Sequence, residues 1–209
     1  NLYESSSLKS KISSQLLYGE KFKILYKKKQ FIKIKTDYDN YTGYIKLSKF
    51  INKFRETHKV KVLKSRILKN PNDLKKSKTK KFLPFSSNIE VIKKKKKFVM
   101  FEKNKWLNSK DIKPIDQKDQ NILKILKLFL NCKYTWGGKT FNGIDCSALI
   151  QLFYKFNNNF FPRDTVDQIK FKKGIKRKVK FKLGDIIYWK GHVAVCINSK
   201  ELIHAYGPR

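Results

Sequence analysis

Three residues in this 209-residue sequence have the types and spacing for covalent acyl chemistry: Cys146, His192 and His204. Cys146 follows Asp145, a good N-cap residue. It opens a stretch, about Asp145 to Phe156, in which Ala148, Leu149, Leu152, Phe153 and Phe156 recur on one helical face. A thiol at a helix start meets unpaired backbone N–H groups and the positive end of the dipole. Both favour thiolate and predict a pKa below the free value of about 8.5. The Gly-rich approach, Trp136-Gly137-Gly138 to Gly143, lets a substrate backbone come close. A small buried cysteine is the other reading of the same position. His192 opens one strand and His204 closes the next, with a tight turn at Asn198-Ser199-Lys200. Folding that hairpin about position 198 sets the two imidazoles opposite each other on one face. A base histidine whose second nitrogen meets a polar partner is what a cysteine nucleophile needs. His58 precedes an earlier strand and reads as structural or exposed.

The elements that must position these groups change character along the chain. Residues 1–54 read as short strands: Gln15-Leu16-Leu17-Tyr18 runs into a turn at Gly19-Glu20. Phe22–Tyr26 and Phe31–Lys35 then alternate with period two, and Asp37–Gly43 is a turn cluster. Residues 57–115 repeat the style, with Lys59–Leu63, a loop at Asn70-Pro71-Asn72-Asp73, Ile89–Ile92 and Phe98–Phe101. The run Lys93–Lys97 is expected at a hairpin tip as a solvated charge run. Both segments predict small all-β barrels. From Asp116 the period becomes helical, with Ile122, Leu123, Ile125, Leu126, Phe129 and Leu130 on one stripe. Strands return at Ile186–Trp189, Val193–Ile197 and Leu202–Ala205. Helices followed by an antiparallel sheet make residues 116–209 an α+β domain.

Formal net charge is +34. Two readings fit: an anionic partner such as nucleic acid, or compositional drift in a sequence rich in Lys, Asn, Ile and Phe. Lysine greatly outnumbers arginine, whereas planar recognition of bases and phosphates favours arginine. The charge is also spread, with 32 basic and 9 acidic residues in 1–115 and 18 basic and 7 acidic in 116–209. We therefore expect a solvated surface and no specific nucleic-acid partner. Cys132, Cys146 and Cys196 are too few for a disulfide framework and lack the C-x-x-C spacing of structural zinc. No metal or cofactor is expected. A reducing, cytoplasmic setting is the simpler expectation; a periplasmic or secreted one requires a leader outside this sequence. No transmembrane segment is expected, since no run of 18 apolar residues occurs.

The motifs in the last 90 residues are together recognisable. Tyr134-x-Trp136-Gly137-Gly138 and Gly143-x-Asp145-Cys146-Ser147 resemble the nucleophile signature of NlpC-type cysteine peptidases. Phe161-Pro162-Arg163-Asp164-Thr165 with Asp167-Gln168, Leu183-Gly184-Asp185 to Trp189, Gly191-His192-Val193-Ala194-Val195 and Leu202-Ile203-His204-Ala205 follow in that family's order. Ala148 stands where the family often has Gly. Upstream, Gln15–Glu20, and Pro71 and Leu83-Pro84-Phe85 with Trp106, resemble two bacterial SH3-like barrels of the dipeptidyl-peptidase VI type.

The resemblance implies a papain-like catalytic domain, residues 116–209, behind barrels at 1–54 and 57–115. It implies Cys146 as nucleophile, His192 as base, His204 as its orienting partner, and Tyr134 near the oxyanion. The implied reaction is hydrolysis of γ-D-glutamyl–L-diamino acid bonds in murein peptides with a free N-terminal L-Ala, as in murein peptide recycling. Asp164, beside Arg163, matches the amine-binding position, and Glu20 and Tyr41 would reach the site from the first barrel. Glu20 as an ordinary turn carboxylate is equally open. So is Asp145 as N-cap alone or, with Ser147, as part of the subsite. The rivals are a non-catalytic wall-binding protein, a basic nucleic-acid-binding protein, and an acyltransferase on the same core.

Overall fold

The structure is a computed structural model that describes residues 1–51, 53–72, 77–172 and 180–207. The first unit is one antiparallel sheet of β1 (Leu2–Tyr3), β2 (Ile12–Ser14), β3 (Phe22–Lys28), β4 (Phe31–Thr36) and β5 (Thr42–Lys46), in the order β2-β1-β5-β4-β3. The period-two pattern of β4 buries Ile32 and Ile34, which pack with Leu2 and Ile45. Gly19, at φ 82°, makes the turn into β3.

The second unit has two sheets. Strands β6 (His58–Val60), β7 (Lys64–Leu68), β8 (Lys78–Pro84), β9 (Asn88–Ile89), β10 (Lys93–Lys95), β11 (Phe98–Glu102), β12 (Lys105–Asn108) and β13 (Ile112–Pro114) pair as β10-β11-β12-β7-β8 and β13-β6-β9. The lysine run forms the hairpin between β10 and β11, exposed throughout, with Lys96 at φ 50°. Pro71-Asn72 makes the expected turn; Asp73 lies outside the described residues.

The C-terminal unit carries the candidate chemistry. Helix α1 (Ile122–Lys127), capped by Asn121, is shorter than its apolar stripe and runs out into turns closed by Asn131 at φ 64°. A small hairpin, β14 (Lys139–Thr140) and β15 (Gly143–Ile144), leads into α2 (Cys146–Phe156). Strands β16 (Ile186–Trp189), β17 (His192–Cys196) and β18 (Leu202–Ile203) form an antiparallel sheet with β17 central. The unit is α+β. Helix α2 was expected to show one apolar face. Its first seven residues are instead all buried, because the β17 sheet and α1 cover one side and the first unit covers the other. A third helix, α3 (Thr165–Lys172), was not expected from the sequence. Its residues are mainly polar, and only Gln168 among the described side chains is buried. Among the described residues, no helix is long and apolar enough to cross a membrane.

Candidate active site

Asp145 is the N-cap of α2: its Oδ1 accepts from the Ala148 N–H at 2.8 Å. That bond fixes the chain at the point where Cys146 enters the helix. Asp145 Oδ2 also accepts from the Gly137 N–H at 2.9 Å, tying the glycine loop to the helix start. Gly137 sits at φ 73°, and a Cβ there would run into the Ile12 carbonyl of the first unit. Only glycine allows that approach. Tyr134 is strapped beside this turn by a parallel bridge to Ile144.

Arg163 lies beneath the turn. Its guanidinium grips both Asp145 oxygens, Nη1 at 3.0 Å and Nη2 at 2.5 Å, while Nη1 also reaches Ser147 Oγ at 2.8 Å. Its Nε donates to Ser14 Oγ of the first unit at 2.9 Å. Burial works against this charge, but Asp145 outweighs it and holds Arg163 more firmly protonated. Arg163, Asp145 and Ser147 therefore form the floor of the site, bound to one another. Arg163 was expected to face substrate; its fork is instead consumed by Asp145, Ser147 and Ser14. Gln168, absent from the expected site, donates from Nε2 to the Ser147 and Pro162 carbonyls at 3.0 and 2.9 Å and anchors the first turn of α2.

Cys146 is 5 % exposed and faces the start of β17, where the Val193 N–H donates to its sulfur. The neighbouring residue is His192, itself 8 % exposed. His192 Nε2 lies 2.8 Å from His204 Nδ1, with the rings perpendicular. The two histidines meet as expected, but not by direct pairing. The β17–β18 register runs Val195 to Ile203 and Cys196 to Leu202. Continued, it sets His204 beside Ala194, so the imidazoles are diagonal neighbours on one face.

The low thiol pKa expected from the helix start does not hold. Burial, then the Asp145 carboxylate, push the Cys146 thiol up, against the N–H groups of Val193, Ser147 and Cys146 that pull it down. Tyr134 is within electrostatic reach: burial, then Cys146 and Asp145, push its hydroxyl up.

The specificity residues divide. Asp164, half-buried, accepts a hydrogen bond from the Tyr41 hydroxyl across the unit boundary. Burial pushes Asp164 up, opposed by Arg163 and by that bond. Glu20 is elsewhere. Its carboxylate is buried between Lys139 and Lys155, at 3.1 Å from each, and accepts from the Leu17 N–H. Burial opposes its charge, yet the two lysines and the N–H hold it down to about 2. The expectation that Glu20 faces the Cys146 groove is corrected: its oxygens are taken by two lysines of the C-terminal unit. No group of three or more His, Cys, Asp and Glu side chains that could hold a metal occurs among the described residues. Sequence reasoning also missed Ser14, which no local signal marks, and Trp189, whose ring lies tilted at 4.7 Å from that of His192.

Residues 131–208 match the NlpC/P60 family, and residues 2–50 match the bacterial dipeptidyl-peptidase Sh3 domain. The chain is 29 % identical over 112 residues to a gamma-D-glutamyl-L-lysine dipeptidyl-peptidase of Bacillus subtilis (strain 168), covering 48 % of this chain and 38 % of that protein. It is 33 % identical over 89 residues to dipeptidyl-peptidase 6 of Lysinibacillus sphaericus, covering 41 % and 32 %. The chain thus spans about a third of the length of these relatives. Its backbone matches the crystal structure of an NlpC/P60 family protein from Bacillus cereus ATCC 10987 with a TM-score of 0.77, over 92 % of this chain and 72 % of that one, at 21 % identity. That likeness is one of fold. The chain carries an NlpC/P60 domain, a peptidase-family domain, behind a bacterial dipeptidyl-peptidase SH3 domain.

Proposed function

We propose that this chain is a cysteine peptidase that hydrolyses γ-D-glutamyl–L-diamino acid bonds in murein peptides bearing a free N-terminal L-Ala. One observation carries the reading. The Cys146 sulfur takes the N–H of Val193, the residue after His192, and His192 is in turn bonded through Nε2 to His204. With Nε2 committed, Nδ1 is the nitrogen for the thiol proton.

Because burial keeps the thiol protonated, the proton leaves as Cys146 attacks. Sγ bonds to the γ-carbonyl carbon and His192 takes the proton. The oxyanion meets the Cys146 backbone N–H and the Tyr134 hydroxyl, each such donor being worth about 3–4 kcal/mol. The C–N bond then breaks, and His192 returns the proton to the leaving amine. Water attacks the carbon of the remaining thioester and gives a proton to His192; the C–S bond breaks, the glutamyl carboxyl product leaves, and His192 returns the proton to Sγ. His204 holds the imidazole orientation throughout.

The free-amine preference rests on Asp164, poised by Tyr41. A buried ammonium needs a carboxylate partner, or its desolvation costs several kcal/mol. The names of the two relatives above fit this substrate class. The second β unit we read as a further SH3-like barrel. The three unpaired thiols suit a reducing compartment.

The test is direct. L-Ala-γ-D-Glu-diaminopimelate and its N-acetylated copy are incubated with the protein and the products read by mass spectrometry. Cleavage of the γ-glutamyl bond in the free peptide is expected, and little in the acetylated one. Cys146→Ala should abolish turnover with the fold intact; activity within about tenfold of the parent would remove Cys146 from the role of nucleophile.

A further inference from the structure

Trp189 ends β16 directly opposite His192, across the two-residue turn Lys190-Gly191, with Gly191 at φ 71°. A tight turn of this kind fixes the register, so the indole cannot slide away from the imidazole. Trp189 is 42 % exposed and stands apart from the apolar core beneath the sheet. What it covers instead is the histidine pair. Its ring lies 4.7 Å from that of His192 and 6.4 Å from that of His204. Tyr206 closes another side, at 5.9 and 5.6 Å from the same two rings.

We propose that Trp189 is a positioning residue for His192. Its ring, tilted 45° to the His192 imidazole, shields the His192–His204 hydrogen bond from water and favours the imidazolium that His192 becomes when it holds the thiol proton. The proposal rests on the reading of His192 as the base. The physical warrant is that a hydrogen bond is stronger away from water, and that an aromatic face within about 6 Å attracts a cation. Leucine at this position would keep much of the apolar cover and lose the ring face, whereas phenylalanine would keep a ring face at the same register.

Trp189→Leu and Trp189→Phe separate the two. Turnover of L-Ala-γ-D-Glu-L-Lys is measured alongside alkylation of Cys146 by iodoacetamide. Solvent exchange of the His192–His204 N–H proton is followed by NMR on protein carrying 15N-labelled histidine. The leucine variant should lose about tenfold in kcat with KM within about threefold. Its alkylation should slow in parallel and its N–H exchange should quicken by about tenfold, while phenylalanine restores all three to within about threefold. Unchanged kcat and exchange in the leucine variant would overturn the proposal. So would equal losses in both variants tracking a fall in melting temperature, since the ring would then serve only the fold. A parent protein that exchanges slowly but cleaves no γ-glutamyl peptide would instead sink the peptidase reading, and the exchange difference between the variants would still decide the shield.

Discussion

The two β units grip the helix that Cys146 opens with different chemistry. The first unit reaches it through polar groups, most of them near Cys146, with the Glu20–Lys155 pair toward the other end. Ser14 accepts from Arg163, Gln15 Oε1 accepts from the Lys139 N–H at 2.8 Å, Asp39 accepts from Gln151 at 2.8 Å, and Tyr41 donates to Asp164. The second unit reaches the C-terminal end largely through apolar stacking. Phe85 stacks on Phe156 at 4.5 Å and meets Phe129 edge-on at 5.8 Å. Buried Lys59 donates to the Phe156 carbonyl, one of the carbonyls the helix end leaves unpaired. Polar contacts at the Cys146 end are directional and set geometry. Stacking at the far end is non-directional and sets stability. The first unit is therefore part of the site, and the second is its foundation.

The largest effect should come from the foundation. Phe85→Ala removes a fully buried ring shared by two aromatic contacts and should cost about 4 kcal/mol, lowering the melting temperature by roughly 10 °C. Activity per folded molecule, titrated by Cys146 alkylation, should stay within about twofold, because Phe156 lies ten residues along the helix from Cys146. A loss of turnover in the folded fraction would show that the far end of α2 does steer the site.

Next comes the charged clamp between Glu20, Lys139 and Lys155. Glu20→Gln leaves two buried lysines without their carboxylate. The Glu20 carboxyl stands at about 2 in the fold against an ordinary 4.5. The stability it lends is therefore fully present above about pH 5 and lost as pH falls toward 2, and at neutral pH it amounts to about 3 kcal/mol. Denaturant melts of parent and variant should differ by that amount at pH 7 and converge at the acid end. Turnover per folded molecule should be kept, which would show that the first unit docks through one set of groups and shapes the site through another. Stability retained with free-amine selectivity lost would return Glu20 to the substrate.

The grouping of Cys146, His192 and His204 was legible because its signals are local. Cysteine and histidine are rare here, the N-cap marks the helix start, and a short turn joins the two histidine strands. What escaped was whatever depends on how the units pack. The thiol pKa went the other way because burial by neighbouring elements, absent from any local pattern, outweighs the helix start. The histidine hairpin is offset by two residues from the symmetric fold about position 198, a shift that keeps both side chains on one face. Glu20 sits in a turn, as read, but a turn residue does not reveal which surface it meets. Ser14 and Trp189 act through partners more than a hundred residues away and across a register pair respectively, and neither type of residue announces that in sequence.

The finest test of the comparison is Tyr41→Phe, which removes one oxygen from the boundary and leaves both units folded. The Tyr41 hydroxyl, pushed up to about 12 by burial and by Asp164, stays protonated as a donor and takes a bond from Ser13 in return. Without it, Asp164 loses one of the two influences that hold its raised carboxyl down, Arg163 being the other. Its folded pKa should rise further, so the charged form that meets a substrate ammonium should persist over a narrower range, failing from the acid side first. A hydrogen bond to a charged group is worth about 1.5–3 kcal/mol, and Arg163 makes up part of that, so kcat/KM for free-amine peptides should fall by about tenfold. The N-acetylated peptide should be unaffected, and Cys146 alkylation should not change. The acid limb of free-amine turnover should move to higher pH in the variant. If both peptides slow equally, Tyr41 serves the floor of the site with Ser14 and Arg163, and the first unit sets geometry without reading the substrate's end.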